Sequence, residues 1–250
     1  MTLDDLIAQS YELGYQDKFK QLNLNGSFNA LKINDPKQTF RAVKMAIAFK
    51  KTGRSYTEAE FALYLSEQRG EDTLKFIVDR ADYWASIDSR EIDIDLRRTY
   101  ITMVFLKNTL DGVSSEDSAF RILMALGFRP RKATPKEDEE ACVDIYFDYG
   151  GVEAGLQVKP NSFFKSLGTT SKFSLAKVTA AAKKNTTPIF MAEVGKKAMS
   201  IVVKSAVDPR TWMQVDSSLF FERMTTLQGN HPLLHRFSLS ILDNMKTDKK

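Results

Sequence analysis

The segment Cys142-Val143-Asp144-Ile145-Tyr146-Phe147-Asp148-Tyr149-Gly150-Gly151-Val152-Glu153-Ala154-Gly155-Leu156-Gln157-Val158-Lys159 constrains this chain more than any other. Gly150-Gly151 lies between two runs of alternating polar and apolar residues. A two-residue hairpin turn of primed geometry needs positive φ, which glycine adopts without steric cost. That turn sets a register: Tyr149 opposite Val152, Asp148 opposite Glu153, Tyr146 opposite Gly155 and Asp144 opposite Gln157. Strand side chains alternate between faces, so the hairpin sorts into two surfaces. Val143, Ile145, Phe147, Ala154, Leu156 and Val158 form an apolar one. Asp144, Tyr146, Asp148, Glu153, Gly155, Gln157 and Lys159 form the other. A polar face of this kind is also what the solvent side of an ordinary amphipathic hairpin looks like.

The surroundings predict an α/β arrangement around one sheet. Ser114-Ser115-Glu116-Asp117 opens a helix over Ala119–Leu126, which Gly127 closes. A strand is expected in Phe128–Thr134, and Pro135–Glu140 reads as an acidic loop. After the hairpin come a lysine-rich helix (Phe173–Lys184), an apolar strand (Pro188–Val194) and a further strand (Met199–Val203). The chain before residue 112 reads as mainly helical. Thr2 with Asp4 and Asp5 caps a first helix, and Asp35-Pro36 starts a second that ends at Gly53. Thr57 and Glu60 make a capping box for a third helix stopping near Gly70, and a fourth runs from Asp72 to Trp84. Arg90–Asp95 alternates like a short strand, Tyr100–Leu110 suits a buried helix or strand, and Asp111-Gly112 reads as a turn. The two helices meeting at Gly70 have the outline of a helix-turn-helix, with Lys75 and Arg80 as candidate DNA contacts, although an ordinary helical hairpin has the same outline. These expectations give a mostly helical domain at 1–111, an α/β core at 112–210 and a helical tail at 211–250.

Several function classes are excluded. No stretch approaches the ~18 uninterrupted apolar residues of a membrane span. The opening Met-Thr-Leu-Asp-Asp lacks the basic and apolar regions of a secretory signal, so a cytoplasmic location is expected. Cys142 is the only cysteine, which rules out an internal disulfide and a thiolate zinc cluster; it reads as a strand residue. His231 and His235 share a helix face at i, i+4, but no HExxH pattern accompanies them. Neither a phosphate-binding Walker sequence nor a GxGxxG motif is present. Trp84 and Trp212 read as core. The net charge is only +4, yet Lys165, Lys172, Lys177, Lys183, Lys184, Lys196, Lys197 and Lys204 are opposed between Pro160 and Lys204 by Glu193 alone. Such a cluster is either a solvated face or a surface for a polyanion.

The hairpin in this context resembles the PD-(D/E)XK nuclease superfamily, which includes many type II restriction endonucleases, Mrr-like nucleases and archaeal junction resolvases. Its motif is an aspartate on one strand and, on the next, an acidic residue or glutamine two positions before a lysine. Asp144 and Gln157-Val158-Lys159 match it. Mrr-like members carry a glutamate eleven positions before the glycine that closes the preceding helix, and Glu116 stands eleven before Gly127. The resemblance covers about 114–203, with Gln157 in place of the commoner acidic residue.

It implies a restriction-endonuclease-like mixed sheet flanked by helices, and Mg²⁺, with Mn²⁺ as a possible substitute. Asp144 would hold the metal with Glu116, the backbone carbonyl of Val158 and Glu153, while Lys159 orients the attacking water beside Gln157. The expected partner is double-stranded DNA, cut at a short site by a homodimeric type II restriction endonuclease. A junction resolvase, a repair or phage nuclease, or a non-catalytic DNA-binding regulator are the competing readings.

Overall fold

The computed structural model describes residues 36–160, 172–194, 198–204 and 212–244, together with Thr2, Leu3, Asp5, Leu6 and Ala8. The chain divides into two units, Met1–Val113 and Ser114–Lys250, and each has its own buried apolar cluster. Among the described residues, no helix is long and apolar enough to cross a membrane.

The described part of the first unit consists of helices and connecting loops. Thr2 and Asp5 cap each other's backbone N–H groups, so the expected first helical turn is present. Helix α1 spans Pro36–Lys51, and Gly53 follows it in a left-handed conformation (φ 75°). Helix α2 spans Glu58–Ile87 and starts at Thr57, whose side chain accepts from the Glu60 N–H. It runs through Gly70 without a break. The helix-turn-helix outline is therefore incorrect, and the motif that made Lys75 and Arg80 candidate DNA contacts is not there; Arg80 lies over the Phe76 ring. A helical glycine costs about 1 kcal/mol relative to alanine. Burial of Phe61, Ala62 and Leu65 on one side, and of Phe76, Ile77 and Trp84 on the other, outweighs that.

Arg90–Asp95 is not a strand. The Arg97 guanidinium, 2% exposed, stacks on Trp84 at 4.7 Å and donates to the Arg90 and Ile92 carbonyls, folding the segment into a loop. Asp93 then accepts from the N–H groups of Asp95 and Leu96 and caps helix α3, Ile94–Ala125. Helix α3 also passes through the expected turn at Asp111-Gly112. Gly112 has helical backbone, and a Cβ added there meets nothing within 4 Å. Gly112→Ala should thus stabilise the protein by about 0.5–1 kcal/mol, raising Tm by about 1–4 °C in a thermal melt. A lowered Tm would restore the turn. Gly127, at φ 88°, closes α3 as expected, with the Phe128 N–H bonded to the Leu123 carbonyl at 3.0 Å.

The second unit is mixed α/β. Its six-stranded sheet follows chain order: β1 (Arg131–Lys132), β2 (Ile145–Tyr149), β3 (Val152–Pro160), β4 (Ile189–Val194), β5 (Met199–Lys204) and β6 (Trp212–Asp216). Only β3 and β4 run parallel, joined through helix α5 (Lys172–Asn185), because a parallel pair needs a crossover. Two expectations fail before and after this core. The acidic segment after Thr134 is helix α4, Pro135–Ala141, with Thr134 and Glu137 forming a reciprocal capping box and proline in the first turn. The stretch 211–250 is no appended tail. It supplies β6, α6 (Ser217–Arg223) and α7 (His231–Asn244), and Phe220, Phe221, Leu234 and Leu242 are core residues. Helix α7 packs on β4, β5 and α5.

Of the lysine cluster, Lys165, Lys196 and Lys197 lie outside the described residues, as do the side chains of Lys172 and Lys204. Lys177, Lys183 and Lys184 are exposed on α5. The side chain of Trp212 is likewise outside the described set.

Candidate active site

Gly150 and Gly151 both have positive φ, 63° and 81°, and the Asp148 side chain accepts from the Gly151 N–H. The resulting register pairs Tyr149 with Val152, Asp148 with Glu153, Tyr146 with Gly155 and Ile145 with Leu156, as the turn predicts. Below Ile145 the chain leaves regular strand geometry. Cys142 is not a strand residue but the left-handed C-cap of α4 (φ 54°, ψ 44°), and burial pushes its thiol up. This cap turns the chain so that Val143 sits over Gly155. A Cβ at Gly155 would come within 2.8 Å of Val143 Cγ2, so the absent side chain is what admits Val143.

Asp144 is pinned on every side. Its N–H donates to the Leu156 carbonyl and its own carbonyl accepts from Ala133, both at 3.0 Å. One carboxylate oxygen, Oδ2, accepts from the Gln157 side-chain amide and, at 2.6 Å, from the Val158 N–H. The predicted opposition of Asp144 and Gln157 is thereby a hydrogen bond. Within a strand, N–H and C=O of one residue point to the same flank. The Val158 carbonyl therefore lies on the Asp144 flank of β3. Lys159 is half-buried and shares the face of Gln157.

Three acidic groups share this electrostatic neighbourhood. Loss of solvation pushes the Asp144 carboxyl up, while Lys159 pulls it down and Asp138 raises it again. Glu116, half-buried on α3, is pushed up by loss of solvation and then by the negative charge of Asp144, with Lys132 opposing. Asp138 on α4 is raised by loss of solvation and drawn down by Lys159 and Lys177. Glu116, expected from its spacing, thus lies close enough to Asp144 for that negative charge to raise its carboxyl. Sequence reasoning missed Asp138, because the segment was read as a loop. Thr134-Pro135 with Glu137 was the signal that α4 exists, and α4 carries Asp138 one turn before Cys142.

Glu153 is not part of this group. It is exposed, opposite Asp148, and ion-paired with Arg131 at 3.1 Å. Four residues along β3 place it roughly 13 Å from Gln157, so its expected role as a metal ligand fails on distance. Arg131 also pairs with Glu137 and stacks on Tyr146. His231 and His235 do stack at 6.1 Å on α7.

Among the described residues, no group of three or more His, Cys, Asp and Glu side chains is gathered closely enough to hold a metal. The donor set at Asp144 still suits one kind of ion. Two carboxylates under mutual repulsion and a backbone carbonyl are hard oxygen donors. Mg²⁺ typically takes only one or two carboxylates and fills its remaining positions with water and phosphate. They do not suit zinc or an all-protein cage.

The raised carboxyl of Glu116 makes a stability prediction. A proton held more tightly in the folded state means that ionisation opposes folding; the penalty is absent below the ordinary glutamate range and grows as pH rises through the folded value. At about pH 8, metal-free Glu116→Gln should be more stable than wild type by about 1–2 kcal/mol, or about 2–8 °C in Tm. The difference should vanish near pH 4. Mg²⁺ should stabilise wild type more than the variant, and equal Tm values under all these conditions would remove Glu116 from the site.

No protein-family model, no curated protein and no solved structure matches this chain.

Proposed function

We propose that the Ser114–Lys250 unit is a Mg²⁺-dependent DNA nuclease of the PD-(D/E)XK type. The observation that carries this reading is the carboxylate of Asp144, held by Gln157 and the Val158 N–H two and one residues before Lys159. Asp144, Glu116 and the Val158 carbonyl are the groups that would hold the ion. A bound Mg²⁺ supplies charge neutralisation at the phosphate and lowers the pKa of a coordinated water. Gln157 and the Val158 N–H occupy Oδ2 of the Asp144 carboxylate, so Oδ1 is the oxygen that would take a ligand. Lys159 brings a compact positive charge to the scissile phosphate and orients the attacking water. The exposed Lys177, Lys183 and Lys184 on α5 contribute phosphate attraction.

Within this class we favour a type II restriction endonuclease acting on duplex DNA as a homodimer. The test is incubation of the full chain with plasmid, phage and branched DNA, with and without Mg²⁺. Discrete bands support site-specific restriction, and cleavage confined to four-way junctions supports a resolvase. Binding without any cutting, at every metal tried, would replace the nuclease by a DNA-binding regulator.

A further inference from the structure

One buried acidic residue has no part in the hairpin motif. Glu193 lies on β4, is 3% exposed, and is the register partner of Lys159 on β3. Register partners on adjacent strands project from the same face with backbones about 5 Å apart. Glu193 is in turn the partner of Ser200 on β5. The Gln214 side-chain amide on β6, the register partner of Val202 and so on the Ser200 face, donates to the Glu193 carboxylate from the far side. Polar residues thus run across one face of the sheet: Asp144, Gln157 and Lys159, Glu193, Ser200, and on β6 Gln214 and Asp216. An ionised carboxylate this deeply buried needs hydrogen bonds and a nearby positive charge, or it takes up a proton instead. Gln214 supplies one hydrogen bond, and the register sets the Lys159 cation beside it.

We infer that Glu193 is a positioning residue for Lys159: oriented by Gln214, its carboxylate holds the lysine ammonium at the edge of the Asp144 site. The geometry stands without any activity, and only the catalytic consequence rests on the nuclease reading. Lys159 sits at the end of β3, where its flexible four-carbon stem would otherwise let the charge wander. A fixed negative partner beside it narrows that range.

Two readouts test this. The first is acylation of the folded full chain by a succinimidyl ester, followed by peptide mass spectrometry, with exposed Lys177 as internal reference. In Glu193→Gln the rate at Lys159 relative to Lys177 should rise about two- to fivefold, the ratio that corresponds to the upper part of the range for a solvent-accessible ion pair. Glu193→Asp, which keeps the charge, should lie nearer wild type. A general loosening of the fold raises both lysines together and leaves the ratio unchanged, and an unchanged ratio overturns the inference. Should Glu193→Gln fail to fold, Gln214→Leu keeps the carboxylate but frees its orientation, and the ratio should still rise; no rise overturns the inference. The second readout is cleavage, where Glu193→Gln should lower kcat about 10–100-fold with little change in KM. If wild type cuts no DNA while the acylation ratio shifts, the nuclease reading fails and the Glu193–Lys159 pairing stands.

Discussion

Alanine in place of Lys159 is expected to lower Mg²⁺-dependent cleavage by about 10²–10³-fold, the loss typical when one preorganised charge at a reacting centre is removed. DNA binding should change little, because a duplex footprint of about 6–10 phosphate contacts loses one cation at most. Lys177→Ala, which also removes a single cation, should likewise change binding only slightly, but should leave turnover of bound substrate near normal. Lys159→Arg is not a safe substitute. The planar guanidinium is longer and spreads its charge over a fork, whereas the lysine ammonium is a compact point charge. Lys159 is half-buried, so its loss opens no large cavity, but Asp144 and Glu193 lose a neighbouring positive charge, and a thermal melt of the alanine variant checks that it folds. Gel-shift affinity and single-turnover cleavage, measured on the same preparations, separate the two effects. Near-normal cleavage by Lys159→Ala removes it from the active site.

Legible in the amino-acid sequence is what local chemistry dictates. Gly150-Gly151 admits few conformations, so the register from Tyr149 to Ile145 followed from the turn alone, and the Asp144–Gln157 hydrogen bond lies one step beyond it. Gly127 was legible for the same reason. The errors lie where a weak local preference meets a strong tertiary demand. Gly70 and Gly112 punctuate the sequence, yet each sits inside a long helix whose apolar residues on both sides are buried. Pro135 and its acidic neighbours looked like loop composition, although the Thr134–Glu137 box is a helix start. Glu193 was invisible as a site residue. Its adjacency to Lys159 arises from parallel pairing through α5, and neither residue's local context specifies that register. Glu116 was found only by resemblance, since a helix-start glutamate looks the same whether it serves the dipole or a metal.

Asp144 carries the largest expected loss, and two substitutions separate its structural from its chemical role. In Asp144→Ala, the Gln157 amide and the Val158 N–H both lose their acceptor. An unsatisfied buried donor costs about 1–3 kcal/mol. Against this stands the relief of removing a carboxyl whose ionised form burial disfavours. Asp144→Asn keeps shape and one acceptor oxygen, so it should melt within about 2–4 °C of wild type, the equivalent of about 1 kcal/mol. Both variants should lose at least about 10³-fold in cleavage, because Asp144 is the one carboxylate fixed by two protein donors and facing Lys159. Glu116→Gln should lose less, about 10–100-fold, as an outer partner does. Mn²⁺ should not restore Asp144→Asn fully, since a neutral amide cannot replace the missing charge. The thermal shift with added Mg²⁺ should be present in wild type and absent in Asp144→Asn. If Asp144→Asn retains both the metal-induced shift and its cleavage, or if chelation leaves wild-type cleavage untouched, Asp144 is a folding residue and the metal centre does not exist.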